Sequence, residues 1–345
     1  MSTAQATAIH DRYRKSFVGR ARATRDLALL DEIIADTERL AAEVTATDLR
    51  ATLAERLGLY RTERTEIAAI QAGGPDALVA WRLVEWSEVT FSRYLREFAG
   101  HARPTRDVAL LGEMAAELRG WIDALPNLDD ARLRTQRAQM ESNLRLFTDE
   151  LAAIPASRSA LAPSDQGRVY AGAANVQFGL YRRHFQGKAR ATRRPALLRR
   201  IITGLEGIHA GMVHVRELGV RTDIHDGNIT RVADRLAHHR DEVARIVEAR
   251  TQVSAIELGR SLGDEANKLF AAYRAEFSGK PRDSRDLDRL SELCDALQET
   301  ARTMLALDEE RHEGNGNNIA VVLEHLKMAE REHVTIREAR KPKAN

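Results

Sequence analysis

The sequence predicts an all-α protein built as a tandem array of four three-helix repeats, about twelve helices in all. Three observations lead to this fold class. A motif typical of a turn between two helices occurs four times along the 345 residues, an apolar stripe at helical spacing follows each copy, and a polar turn with a further helical pattern follows each stripe. Self-similarity at a regular period is the signature of a repeat architecture.

The motif reads Tyr, three residues, Phe, one residue, Gly, a basic residue or His, any residue, Arg, any residue, Thr or Ser, then Arg. Tyr and Phe four positions apart share one helix face, and Gly ends helices in the left-handed region. Thr or Ser before the last Arg is predicted as the N-cap of the next helix. Each copy is therefore a helix-loop-helix corner. The four corners are Tyr13 to Asp26, Tyr94 to Asp107, Tyr181 to Arg194 and Tyr273 to Asp286.

The helix after each corner carries apolar residues in alternating steps of three and four, the spacing of helices packed in bundles. The predicted core positions are Leu30, Ile33, Thr37, Leu40 and Val44; Leu111, Met114, Leu118, Trp121 and Leu125; Leu198, Ile201, Leu205, Ile208 and Met212; and Leu290, Leu293, Leu297, Thr300 and Met304.

A third helix completes each unit, and breaks between units give the boundaries. Gly73-Gly74-Pro75 separates the first two units, and the segment from Ile154-Pro155 to Pro163 separates the second from the third. Residues 242–277 contain no Pro, so helix is expected to continue through that boundary. The predicted repeats are 1–72, 75–154, 164–250 and 251–345. Similar turns around Asn228 and Asn318 indicate that the repeats pair as two similar halves.

Composition narrows the class of protein. The formal net charge is +2 and charged residues make up 30%, which is unlike a disordered tail or a strongly basic nucleic-acid arm. Cys294 is the only cysteine, which excludes an intramolecular disulfide, and its place on an apolar stripe predicts a buried thiol. The chain has no apolar run of membrane-spanning length. A cytoplasmic protein without membrane contact is expected.

The arginines of the four corners are the candidate anion-binding or partner-binding residues. Each corner carries two Arg three positions apart, beside a helix start, an arrangement suited to phosphate or carboxylate. Alternatively, each Arg binds the last carbonyls of the preceding helix and pairs with a carboxylate of a neighbouring unit. The eight residues are Arg22, Arg25, Arg103, Arg106, Arg190, Arg193, Arg282 and Arg285.

Metal and cofactor sites are not predicted. Glu-x-x-His pairs occur at Glu206, Glu309 and Glu330, but a di-metal bundle site needs such pairs at facing levels, and these lie on different helices. Phosphate-binding glycine loops and nucleophile motifs are absent from the sequence.

The sequence therefore favours a non-enzymatic helical-repeat scaffold whose partner is another protein or further copies of itself in a larger assembly. A second hypothesis is a polyanion-binding protein that holds nucleic acid or polyphosphate at its four Arg-rich loops. A metal-dependent helical-bundle enzyme is the third.

Overall fold

The computed structural model describes residues 2–17, 25–311 and 316–340, and within these ranges the chain is helical with no strand. None of the helices in these ranges is long and apolar enough to cross a membrane. The twelve α-helices are α1 Ser2–Phe17, α2 Leu27–Glu43, α3 Thr47–Ala72, α4 Gly74–Glu97, α5 Val108–Ala124, α6 Ala131–Ser159, α7 Pro163–Phe185, α8 Pro195–Glu217, α9 Asp223–Thr251, α10 Ala255–Phe277, α11 Leu287–Arg311 and α12 Gly316–Ala339.

The corners change chain direction through a left-handed glycine and a short 3-10 turn. Gly100, Gly187 and Gly279 have φ of 85°, 75° and 75°, a conformation that costs a residue with a Cβ about 1–2 kcal/mol. The first corner's glycine falls outside the described residues. The 3-10 turns are Arg103–Thr105, Arg190–Thr192 and Arg282–Ser284.

The predicted Thr or Ser N-cap is wrong, since the Asp two positions later caps the helix. Asp26 accepts hydrogen bonds from the backbone of Ala28 and Leu29, and Asp107 accepts one from Leu110. The Thr105 hydroxyl instead donates to the Ala102 carbonyl inside the 3-10 turn. The Arg between Thr and Asp is extended, which delays the helix start. In the third corner the N-cap position is Arg194, without a side-chain cap.

The predicted core stripes are buried, with Trp121 half-buried. Phe98 and Phe185 are 1% and 0% exposed, as the motif predicts for its aromatic positions. Most apolar clusters follow the chain in threes: α1 to α3, α7 to α9, and α10 to α12. The cluster of α4 to α6 also takes in Ile70 of α3, while Trp86 and Val89 of α4 join the α10 to α12 cluster, because α4 packs on α12.

Two predictions about the helices beside the repeat boundaries are wrong. Pro155 is expected to end a helix but lies inside α6, which continues to Ser159; having no N–H, it cannot donate to the Leu151 carbonyl. The expected continuous helix over 242–277 is interrupted between α9 and α10. There Ser254 caps the backbone of Glu257, whose carboxylate accepts from the Ser254 backbone in return, so the capping box satisfies the new helix start.

Candidate functional site

Each corner contacts a glutamate of a helix that follows it in the chain, and this glutamate is buried in the first three corners and partly buried in the fourth. These glutamates lie on α3, α6, α9 and α12, and each is followed four positions later by a buried Ile. Sequence reasoning missed them, although the recurring Glu-x-x-x-Ile pattern is a signal that the sequence contains. The four pairs are Glu63 with Ile67, Glu150 with Ile154, Glu242 with Ile246, and Glu332 with Ile336.

At the first corner, Glu63 receives both the motif Tyr and the second Arg. The Tyr13 hydroxyl donates to one carboxylate oxygen, and the Arg25 guanidinium pairs with the other. Arg25 also lies 3.5 Å from Glu324 of α12, so this corner is tied to the last helix of the chain. Arg22 lies outside the described residues.

At the second corner, both candidate arginines bind one carboxylate. Nη1 of Arg106 lies 2.6 Å from Oε1 of Glu150, and Nε of Arg103 lies 3.0 Å from the same oxygen. Nε and Nη2 of Arg106 also donate to the His101 carbonyl, at 3.2 and 3.0 Å. The Arg103 side chain is half exposed and that of Arg106 largely covered.

The third corner repeats this geometry around Glu242. Nε of Arg190 donates to the carboxylate at 3.1 Å, and Arg193 pairs with it through Nη1. Nε and Nη2 of Arg193 donate to the Lys188 carbonyl at 3.1 and 2.8 Å. Both candidate arginines of this corner are therefore engaged inside the protein.

The fourth corner follows the same plan around Glu332. This glutamate receives the Tyr273 hydroxyl and pairs with Arg285. Arg285 also donates to the Lys280 carbonyl, at 3.0 Å from Nε and 2.6 Å from Nη2. Arg282 is the first residue of the 3-10 turn.

The motif tyrosines keep their protons in these sites. Burial, and next the nearby Glu63 carboxylate, raise the pKa of Tyr13 far above its ordinary value. The pKa values of Tyr94 and Tyr181 are raised for the same reasons, first by burial and then by Glu150 and Glu242. Tyr13 and Tyr273 donate to the corner glutamate, and a phenol that keeps its proton can do so at every ordinary pH.

Six of the eight candidate arginines thus bind four separate carboxylates, one on each of α3, α6, α9 and α12. Arg22 lies outside the described residues, and Arg282 is exposed and makes no ion pair with the residues that the structure describes. The alternative hypothesis paired each Arg with a carboxylate of a neighbouring unit. Instead, each of these glutamates lies in the third helix of its own predicted unit, and in the second, third and fourth corners the carbonyl bound by the second Arg is that of the residue after the motif glycine. The reason is geometric: the third helix returns along the first and brings its glutamate to the loop.

A second group of buried charges connects α4, α5, α8 and α11. Glu299 of α11 accepts a hydrogen bond from Nε of Arg194 at 2.8 Å. Nη1 of both Arg93 and Arg302 lies 3.4 Å from Oε1 of Glu299, and Nη1 of Arg200 lies 3.8 Å from it. Burial opposes the charge of Glu299, but these four guanidiniums outweigh it and hold its pKa well below the usual range.

Neighbouring carboxylates complete this buried network. Glu113 of α5 lies 3.1 Å from Arg194 and 2.5 Å from Arg200. Burial by itself raises the pKa of Glu113, but Arg200 and then Arg302 outweigh this effect and lower the pKa to about 2. Asp295 of α11 lies 2.5 Å from Arg96 of α4. The network therefore ties together helices that are far apart in sequence.

Two adjoining cavities border this network. One, of about 810 Å³, is lined by Arg93, Asp295 and Val176 among others, and a second, of about 720 Å³, by Arg200, Gln177 and again Val176. Both lie along α7. Cys294 beside the network is buried as predicted, and burial followed by the Glu330 charge raises the pKa of its thiol well above the ordinary value. A thiol held in this state is a poor nucleophile.

The Glu-x-x-His pairs are used in other ways. Glu206 accepts from Arg240 at 2.7 Å, and Glu330 binds Arg96. The pair at Glu309 extends to His312, which falls outside the described residues. Among the residues that the structure describes, no group of three His, Cys, Asp or Glu side chains is arranged to hold a metal ion.

Comparison with protein-family models, with curated proteins and with solved structures finds no match.

Proposed function

We propose that the chain is a non-enzymatic scaffold of four three-helix repeats, 1–72, 75–154, 164–250 and 251–345, that presents a surface to a protein partner or to further copies of itself in a larger assembly. The observation that carries this proposal is that six of the eight corner arginines pair with carboxylates of the same chain, at least one in every corner. Residues that a repeat needs for its own folding recur in every copy.

The recurrence of side-chain geometry supports the four-repeat description. In every corner the motif Tyr stacks on the motif Phe, with ring centroids 5.5, 5.5, 5.3 and 5.7 Å apart. The residue three positions before the glutamate packs on the same Tyr in three of the corners. These contacts are Tyr13 with Tyr60 at 4.4 Å, Tyr94 with Phe147 at 4.9 Å, and Tyr181 with His239 at 4.2 Å.

A polyanion at the corners would have to displace these glutamates. Glu242 is 3% exposed, so a phosphate that took Arg190 and Arg193 would leave a buried carboxylate without its cations. Leaving a buried charge without its partner costs roughly 3–5 kcal/mol, more than one phosphate contact returns. The corner arginines therefore contribute to the stability of the scaffold.

The buried charge network supports a scaffold whose repeats are held in one arrangement. It joins α4 and α5 of the second proposed repeat to α8 of the third and α11 of the fourth. Arg25 ties the first repeat to α12 through Glu324. A fixed arrangement of repeats gives the protein a defined outer surface for its partner.

The test measures the melting temperatures of two variants: a double variant that carries both Arg190→Ala and Arg193→Ala, and the single variant Glu242→Gln. Both should lower the melting temperature, because each removes one side of the same buried contact. A matched control, Arg240→Ala with Arg245→Ala, removes two exposed arginines from α9 and should melt like the wild type. Light scattering after size exclusion measures self-assembly of the wild type.

The affinity of the same variants for a short DNA duplex, measured at two salt concentrations, distinguishes the scaffold hypothesis from the polyanion hypothesis. If the corner binds phosphate, Glu242→Gln frees two arginines and strengthens duplex binding, and the Arg double variant loses binding without loss of stability. That pair of results would defeat the scaffold proposal.

A further inference from the structure

A groove of about 730 Å³ runs between α7 and α9 and reaches Tyr181, the motif tyrosine of the third corner; its lining includes no corner glutamate and no residue of the buried network. From α9 it is lined by Arg231, Arg235 and His239, which are four positions apart and so lie one above the other on one helix face. Arg182 faces them from α7. The groove is thus bordered by cationic side chains on both helices.

The remaining lining of the groove is aromatic and amide. Asn175, Phe178 and Gln186 follow the same face of α7 as Arg182, at helical spacing. Phe178 is half-buried against the core, with part of its ring open to the groove, and Asn175 and Gln186 are exposed. An apolar surface and amide groups therefore lie beside the arginines.

The three arginines of the groove differ from those of the corners. Arg182, Arg231 and Arg235 are exposed, and none of them makes a hydrogen bond or ion pair with any residue in the described ranges. The groove lining contains no carboxylate. Three guanidiniums that share one groove without an internal counter-charge create a positive potential that attracts an anion.

His239 lies at the floor of the groove. Its ring is fully buried, and neither ring nitrogen has a hydrogen-bond partner among the residues described. Burial lowers the pKa of His239 to about 4, with further lowering by His238 and Arg235. The imidazole is therefore neutral at pH 7, and the positive charge of the groove lies on its arginines.

We propose that this groove binds a small organic phosphate of the nucleoside phosphate class. The phosphate lies between Arg231 and Arg235 on α9 and Arg182 on α7, where planar guanidiniums make paired hydrogen bonds to phosphate oxygens. The flat ring of the ligand rests against Phe178. The volume is within the roughly 300–1,000 Å³ usual for small-molecule sites. This site is independent of the corner arginines and goes beyond the scaffold role.

Isothermal titration calorimetry with ADP, pyrophosphate and adenosine tests the proposal. ADP and pyrophosphate should bind, with ADP the tighter because its ring adds contact, and adenosine should bind weakly. Arg231→Gln with Arg235→Gln should reduce ADP affinity by about tenfold or more, since charge-assisted hydrogen bonds are lost. Arg182→Gln, on the facing helix, should also weaken ADP binding.

The matched control is Arg240→Gln with Arg245→Gln, which removes the same charge from exposed positions of α9 outside the groove. This variant should bind ADP like the wild type. Equal losses in the two double variants would mean that net charge alone attracts the anion, and would overturn the proposal. Absence of ADP and pyrophosphate binding at millimolar concentration would also overturn it.

Two further outcomes separate this site from other interpretations. Binding of a DNA duplex that depends on Arg231 and Arg235, with no binding of ADP, would replace the small-molecule site by a nucleic-acid surface. The scaffold proposal is tested by the melting temperature of the Arg190 and Arg193 double variant, in which no groove residue is changed. Failure of one proposal is therefore distinguishable from failure of the other.

Discussion

Replacement of Glu299 by Gln tests the buried charge network, because this substitution keeps the shape of the side chain and removes its charge. Four guanidiniums lie between 2.8 and 3.8 Å from the Glu299 carboxylate. After the change, Arg194 and Arg200 keep Glu113, while Arg93 keeps only Asp295, at 3.7 Å. Arg93 is 1% exposed and would lose its nearer counter-charge.

The expected loss in the free energy of unfolding is about 3–5 kcal/mol, the usual cost of removing one partner of a buried ion pair. Glu292→Gln on the same helix is the matched control. Its carboxylate is 41% exposed and pairs with Arg183 and Arg289 at 3.4 and 3.1 Å. A pair of this kind contributes no more than about 1 kcal/mol.

Urea unfolding at pH 7 measures both changes, and repetition at lower pH tests the sign of the electrostatic effect. The pKa of Glu299 in the folded protein lies well below its ordinary value of 4.5. Its contribution is therefore fully present above pH 4.5 and is lost as pH falls through the folded value. Glu299→Gln should consequently unfold with a weaker acid dependence. Equal losses for the two variants at pH 7 would refute the reasoning.

Two further predictions concern single substitutions. His239→Phe places a Phe beside Tyr181 of the third corner, the residue type that Phe147 supplies beside Tyr94 of the second corner. Because the folded pKa of His239 is about 4 and its ordinary value 6.5, His239 stabilises the fold above pH 6.5 and loses this effect towards pH 4. The variant's melting temperature should therefore fall less over that interval, and an unchanged pH profile would contradict the assignment. Gly279→Ala should destabilise the protein by about 1–2 kcal/mol, because φ is 75° at this position. Gly263→Ala, inside α10, should stabilise it by about 0.5–1 kcal/mol. Urea unfolding should therefore show changes of opposite sign for the two variants, and changes of the same sign would contradict the left-handed assignment.

The sequence by itself determined the helical class, the corners and the core faces. Tyr and Phe four apart, with Gly two positions later, specify local geometry through contacts within a few residues, and Phe98 and Gly100 adopt the expected burial and φ. The apolar stripes are equally local, because helical spacing alone decides which residues share a face.

Positions where two local signals compete were predicted less well. Thr105 and Asp107 can both cap a helix, and the extended backbone of Arg106 between them selected Asp107. Proline often ends a helix, yet α6 continues for four residues beyond Pro155. Such choices depend on small energy differences that a residue pattern does not resolve.

Only the tertiary structure decided which charges meet. Arg193 lies in the third corner and Glu242 on α9, and Arg93 and Glu299 are 206 residues apart, so their pairing depends on how the helices pack. The sequence identified the corner arginines as a group, and the recurring Glu-x-x-x-Ile pattern marks their partners, but the pattern does not say which arginine meets which glutamate. Burial turned those arginines into internal ties, whereas Arg182, Arg231 and Arg235, which no sequence motif singled out, were left facing one groove. The physical reason is that helix periodicity is a local property, while the neighbours of a charge are set by packing between distant segments.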